Sequence, residues 1–395
     1  MCHRDMRSCR LTTGSAQGAG DLRGYVGASF VAPRGGHTPN MASAPARARR
    51  VDNGRVGGSG AARQAAADTN PSMCSTSGIE LKSLENFRDL AEGVPTMRTG
   101  CVLRSAKPVY LDEADARHLT ETLGLQVLLD LRSAKELHED PPDSRLLARA
   151  AYRPYRRTWM GTAVPVAIPL PHQPPPPQQQ QQAQPSPCEG SNGGDGGGMA
   201  LVRHNVSLVE RLRYYSGLAW HLPWMTIAWA LATLPFSREA ARLSLVDHIN
   251  AGGLPLMYKV ILDTARPEIA AAMRVVLESA EARRPLLLYC SIGKDRTGII
   301  SALVLSCVGA SLDQIVADYH RSDSQCKASI AGLDERPELR GIDLTMFEHA
   351  PVAAGVAMLE YIHQRYSSLP GYLTAAGFGP EEQARLRRAL ARDDA

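Results

Sequence analysis

Short apolar runs and longer runs of helical period alternate along this chain from Ile79 onward, and that alternation sets the expected fold. Residues 100–105 read as a short strand ending in a polar turn, 126–130 as a buried strand, and 151–156 as a further strand. The run 286–289, bounded by Pro285, has the pattern of a strand buried on both faces. Asp112 is placed to cap a helix through Thr122, with Gly124 as its terminator. Helices are expected over 238–249, 254–262 and 268–283, punctuated by Pro235, Gly252-Gly253, Pro255 and Pro267. Two more follow over 299–308 and 312–320, the second capped by Ser311, and 350–366, 372–376 and 380–391 form a helical tail. Strands interleaved with helices predict an α/β class, a central and mostly parallel sheet flanked by helices. In such a sheet ligands bind beyond the carboxyl ends of the strands, where Arg104, Asp130 and Cys290 all fall.

Two stretches have no means of building a core. Residues 1–78 are rich in Gly, Ala, Ser and Arg and read as a disordered leader. Arg4, Arg7, Arg10, Arg23 and Arg34 against Asp5 and Asp21 give the acid-poor balance of an organelle transit peptide. An ordinary leader, or an extension before an internal start at Met41, is the alternative. Residues 161–198 are Pro-rich, then Gln-rich, then Gly-rich, and read as a solvated insertion within a domain spanning 79–395. Residues 218–234 are the reverse, strongly apolar and carrying Trp220, Trp224 and Trp229. Their length approaches a bilayer span, but His221 and Pro223 interrupt it. Interfacial membrane contact, which suits tryptophan, and an amphipathic helix folded over a site mouth are the other two readings.

Composition narrows the function classes. The net charge of +4 is mild and much of the Arg excess precedes Val51, so a nucleic-acid role has no support from the core. Eight cysteines are scattered, with no Cys-x-x-Cys pair and no His clustering, which argues against a zinc site or a disulfide framework. No metal or cofactor is expected. Thiol chemistry needs reducing surroundings, so an intracellular, cytoplasmic location is expected, with organelle targeting through the leader as the alternative.

The chemistry concentrates between Leu286 and Gly298. A strand, a loop holding Gly293 and Gly298, and a helix place backbone N–H groups and a positive dipole end around one point. Such a point binds an oxyanion, and a phosphate fits it well. Cys290 enters this loop and Arg296 leaves it. An Arg there can bind two phosphate oxygens in a fork, and a cysteine ringed by such donors is a nucleophile near neutral pH. The bland alternative is a buried structural thiol.

Cys290 to Arg296, followed by Thr297 and Gly298, matches the Cys-x5-Arg loop of cysteine-dependent phosphatases. Its form Gly293-Lys294-Asp295-Arg296-Thr297-Gly298 resembles the atypical branch of protein-tyrosine and dual-specificity (lipid) phosphatases that includes a secreted mycobacterial enzyme. Asn86-Phe87-Arg88-Asp89-Leu90, Leu103-Arg104-Ser105-Ala106 and Leu129-Asp130-Leu131-Arg132-Ser133 resemble that branch's other blocks. Tyr366, Tyr372-Leu373 and Gly377 resemble its C-terminal helical region. The resemblance runs from Ile79 to the C-terminus, interrupted by the insertion. It implies a cysteine-phosphatase-like sheet, a helical lid at 218–234 and a helical C-terminal tail. It also implies hydrolysis of phosphate monoesters: phosphotyrosine, with phosphoserine, phosphothreonine or phosphoinositides as further substrates.

Under that resemblance Cys290 attacks phosphorus and water hydrolyses the cysteinyl-phosphate. Arg296 and the loop residues Ser291, Ile292, Gly293, Lys294, Thr297 and Gly298 bind the oxygens, with Arg104 nearby, so no metal clamp is needed. No Trp-Pro-Asp loop supplies the general acid; Asp130 is the first candidate and Asp295 the second. The alternative for Asp130 is a salt bridge to Arg132 or Arg104. Lys294 is expected at the phosphate rim, favouring substrates with more than one phosphate, or else as a solvated surface side chain. Thr297 is expected to donate to the Cys290 sulfur, to cap the following helix, or both. Tyr289 stands where most of the wider superfamily has His, and a phenol with a pKa of about 10 is no cation at neutral pH. A less acidic thiol than usual is the expected result. Two other classes compete: a pseudophosphatase that binds phosphorylated partners without turnover, and a sulfur-transferring rhodanese-like domain. The partners expected are phosphorylated proteins or phosphoinositides, with no nucleic acid and with peripheral membrane contact through residues 220–229.

Overall fold

The computed structural model describes residues 81–166, 200–325 and 340–392. The leader and most of the insertion lie outside the described residues. The strands are β1 (Arg88–Asp89), β2 (Val102–Ser105), β3 (Val127–Asp130), β4 (Ala151–Arg157), β5 (Ala163–Pro165), β6 (Val202–Asn205) and β7 (Leu286–Tyr289). They form one seven-stranded sheet in the order β1-β2-β7-β3-β6-β4-β5. The five inner strands are parallel, and the short edge strands β1 and β5 pair antiparallel.

The last strand in sequence is central in space, which explains its composition. A parallel strand covered on both faces reads as a continuous apolar run, and all of β7 is buried. Side chains alternate faces with period two. Leu286 and Leu288 join Val102, Val127 and Leu129 on one side, under α5 (Arg238–Thr264), α6 (Arg266–Glu281) and α7 (Asp295–Cys307). Leu287 and Tyr289 join Leu103 and Leu128 on the other, against Leu84, Leu119 and Leu146.

Local signals set most helix boundaries. Asp112 accepts from the Asp115 amide at 2.8 Å and starts α1 (Glu113–Arg117), which runs on as a π-helical turn, His118–Thr122. Ser311 and Gln314 form a capping box on α8 (Leu312–His320). Beyond it come α9 (Thr345–Glu348) and the tail helices α10 (Val352–Tyr366), α11 (Leu369–Ala376) and α12 (Pro380–Leu390). The single helix suggested over 218–234 is two: α3 (Arg211–His221) and α4 (Trp224–Thr233). Pro223 lacks an amide hydrogen and sits at ψ 134°, so the chain leaves the helix there. Both pack on α5, which bends at Gly253, where φ is +51°. Among the described residues no helix is long and apolar enough to cross a membrane.

Candidate active site

Tyr289 ends β7 in register with Ser105 of β2 and Asp130 of β3, so Cys290 emerges at the carboxyl edge of the sheet. The chain turns over residues 290–294 and enters α7 at Asp295. Gly293 sits at φ +76° and donates its amide to the Cys290 sulfur at 3.3 Å. A Cβ there would collide with the Ser105 carbonyl, so the loop lies against β2 only because residue 293 is glycine. Other groups hold the loop from outside. Lys107 N donates to Ser291 O at 3.2 Å, Asn86 Nδ2 to Ile292 O at 3.2 Å, and Arg104 Nη2 to Gly293 O at 2.7 Å.

The blocks around residues 86–90 and 103–106 meet behind the loop at Asp318 of α8. Arg88 Nε donates to Asp318 Oδ1 at 2.9 Å, and Arg104 Nη1 donates to Oδ2. Arg88 also donates to the Asn86 side chain, the same residue that holds Ile292. Burial alone would raise the Asp318 carboxyl, but Arg104 and Arg88 outweigh it and hold it at about 2. Two guanidiniums sharing one buried carboxylate thus set the position of the loop backbone.

In front of the loop, Arg296 forms a two-pronged pair with Glu136 of α2 (Ala134–His138): Nη1 to Oε2 at 2.8 Å and Nη2 to Oε1 at 2.7 Å. Glu136 also accepts from Ser291 Oγ at 2.5 Å and from Ser133 N and Oγ. Burial opposes its ionisation, yet Arg296 and these donors drive its carboxyl far below the usual range. Burial would likewise lower Arg296, but Glu136 above all, with Cys290 adding to it, holds it well above its ordinary value. Two of the five guanidinium N–H groups are spent on Glu136, which fixes the plane and leaves the others for an oxyanion.

Ser291, Ile292, Asp295 and Arg296 floor a cavity of about 550 Å³. Its walls are apolar toward Leu218, Val246, Met257, Ile261 and Phe347, and cationic at Lys107, Lys135, Arg211 and Arg242. An apolar pocket over an anion cradle accommodates the organic part of a phosphate ester.

The other residues singled out in the sequence fall in different places. Asp295 is on the cavity floor, where Tyr258 of α5 donates to its Oδ1 at 2.7 Å, and Tyr258 in turn meets Tyr319 Oη at 2.7 Å. Asp130 is no acid at the mouth. It is fully buried between Arg132 and Arg203, with oxygens 3.0 and 2.6 Å from their nitrogens. Burial raises it and the two arginines overcome that, leaving it ionised down to about 2. The salt-bridge alternative therefore describes Asp130, with Arg203 taking the part suggested for Arg104. Arg104 is buried behind the loop and reaches a loop carbonyl, so it supports the cradle and does not line the cavity. Lys294 is neither at the rim nor solvated; its buried ammonium donates to Phe347 O at 2.8 Å and His349 O at 2.7 Å. Thr297 lies inside α7, not at its cap, and its buried Oγ1 has no hydrogen-bond partner among the described residues. Gly298 packs under Tyr319, away from the floor. Tyr289 is buried with its ring 5.5 Å from the Arg132 guanidinium, and burial pushes its phenol far up.

Glu136 and Tyr258 were not foreseen. Glu136 had a readable signal, the Ser133-x-x-Glu136 capping box that starts α2, but a cap says nothing of a second partner 160 residues away. Tyr258 has none.

Comparison with known proteins agrees with this geometry. The chain is 35% identical over 133 residues to the triple specificity protein phosphatase PtpB of Mycobacterium tuberculosis, covering 30% of this chain and 48% of that protein. It is 32% identical over 120 residues to a tyrosine-protein phosphatase of Nostoc commune, covering 27% of this chain and 38% of that protein. A putative tyrosine-protein phosphatase of Cupriavidus necator is 26% identical over 270 residues, 66% of this chain and 70% of its own. The match thus spans about half the length of the first of these relatives and less of the second. The model of the tyrosine phosphatase family matches residues 79–392, the greater part of the sequence, and the chain belongs to that family.

Proposed function

We propose that the chain hydrolyses phosphate monoesters through a cysteinyl-phosphate, with phosphotyrosine, phosphoserine or phosphothreonine, and phosphoinositides as its substrate range. The carrying observation is that the loop holding the Gly293 amide against the Cys290 sulfur also supplies the floor of one cavity through Ser291, Ile292, Asp295 and Arg296. In the first step the Cys290 sulfur bonds to phosphorus as the bond to the leaving oxygen breaks, and that oxygen takes a proton from Asp295. In the second, water attacks phosphorus, the P–S bond breaks, the thiolate is restored and Asp295 takes the proton back. Arg296 and the loop amides hold the equatorial oxygens throughout. Asp295 is assigned the proton because it faces the cavity, whereas Asp130 is ion-paired beneath the sheet edge.

Turnover of p-nitrophenyl phosphate by the wild type and by Cys290→Ser tests the assignment. Removing the nucleophile should cost on the order of 10⁴ or more in kcat. Equal rates for the two proteins exclude the mechanism, and an inactive wild type that still binds phosphopeptides favours a pseudophosphatase. A panel of phosphopeptides and phosphoinositides then ranks the substrates.

A further inference from the structure

All four tryptophans of the chain are on its surface: Trp159 is 94% exposed, Trp220 82%, Trp224 78% and Trp229 65%. Tryptophan is normally among the highly buried residues, so four exposures are a departure that calls for a partner. They share one end of the molecule. Trp159 and Met160 form the turn after β4, at the carboxyl edge of the parallel strands, and Arg157 ties that turn to Thr264 O of α5 at 2.6 Å. Gly217 of α3 abuts the same Thr264, and His221 at the end of α3 meets Asp263 at 3.0 Å. Helix α4 has no buried residue, and Met225 and Leu231 on it and Phe236 just after it add to the exposed apolar surface.

We infer that this end of the molecule, centred on α3 and α4, docks on an anionic lipid surface. Three observations favour a bilayer over a protein groove. The run from Leu222 to Ser237 contains no charged residue, and it carries exposed Trp224 and Trp229, the residue type at home at the lipid–water boundary. Exposed arginines flank it, Arg211 before and Arg238 after, placed for phosphate headgroups. No described helix is long and apolar enough to cross a membrane, so the surface lies on the bilayer and does not span it. The docked face borders the cavity, since Arg211, Tyr215 and Leu218 of α3 line it beside Lys107 and Arg242. A headgroup phosphate next to the docked helices therefore has a short path to Arg296. This last step rests on the proposed phosphatase reading; the docking itself does not.

The full-length protein is mixed with vesicles of phosphatidylcholine alone or with added phosphatidylserine, and sedimentation and tryptophan emission are read. Because every tryptophan lies on this end, docking should shift the emission to the blue and sediment the protein, more strongly with phosphatidylserine. Lipids brominated on the acyl chains should quench the wild type. Each tryptophan withdrawn from water is worth roughly tenfold in partition, so Trp224→Glu with Trp229→Glu should lower the bound fraction by at least about tenfold. Turnover of p-nitrophenyl phosphate should be unchanged in that variant. No sedimentation, or sedimentation without quenching, overturns the inference. So does a blue shift that grows with protein concentration in the absence of vesicles, which would assign the face to a second copy of the chain. Cys290→Ser should bind vesicles like the wild type. Lost docking with intact turnover removes this inference alone, and lost turnover with intact docking removes the phosphatase reading alone.

Discussion

Replacing Asp318 by Asn tests whether a buried ion cluster, not the loop sequence alone, holds the cradle in shape. The carboxylate has a pKa of about 2 against an ordinary 3.8, so its surroundings favour the charged form by about 2 kcal/mol. Asn keeps the shape but removes the charge facing Arg88 and Arg104, both buried, and leaves two guanidiniums without a counter-ion. Breaking such a cluster from one side costs about 3–5 kcal/mol. Urea unfolding should show that loss as a lower midpoint. Arg104, freed from Asp318, also releases the Gly293 carbonyl, so kcat with p-nitrophenyl phosphate should fall along with stability. The pH dependence follows from the sign of the shift. A carboxyl depressed in the folded state stabilises the protein above its unfolded pKa, and that contribution disappears as pH falls from 3.8 toward 2. The wild type should lose about 2 kcal/mol from this group over that window, and Asp318→Asn should lack that part of the slope. A variant with the parent's urea midpoint and kcat/KM would refute the reasoning.

Gly293→Ala forces a side chain into a positive-φ site against the Ser105 carbonyl; the backbone strain alone is about 1–2 kcal/mol. A kcat reduced far more than KM is expected, and unaltered kinetics would show that the loop tolerates a Cβ. Asp295→Asn should slow phenyl phosphate by about 10²–10⁴ and p-nitrophenyl phosphate much less, because nitrophenolate leaves without a proton. Equal losses on the two esters would remove Asp295 from the acid role. Tyr258→Phe should show the same leaving-group pattern at smaller amplitude, since it takes away the donor that orients Asp295. Glu136→Gln breaks the charge in the fork on Arg296, and inorganic phosphate should inhibit it with a changed Ki while Cys290 alkylation still proceeds; an unchanged Ki would deny Glu136 any hold on the guanidinium.

The strand at 286–289, the Cys290-to-Arg296 loop and the tail helices were legible in the sequence because their signals are local. An apolar run, a glycine in a turn and a capping serine each act through neighbours a few residues away. Strand β6, between the insertion and α3, was missed because Val202–Asn205 carries three polar residues, whose buried partners Asp130, Tyr155 and the Arg132 carbonyl come from other segments. Ion pairing decided the fate of the charged candidates. Asp130, Arg104 and Lys294 each had a rim position suggested by chain order, and each is drawn inward by partners distant in sequence: Arg203, Asp318 and the carbonyls of Phe347 and His349 at the end of α9. A residue's type and its place on a strand fix which groups reach the edge of the sheet. Whether such a group faces a substrate or neutralises a neighbour depends on where an opposite charge is buried, and only the folded chain brings those charges together.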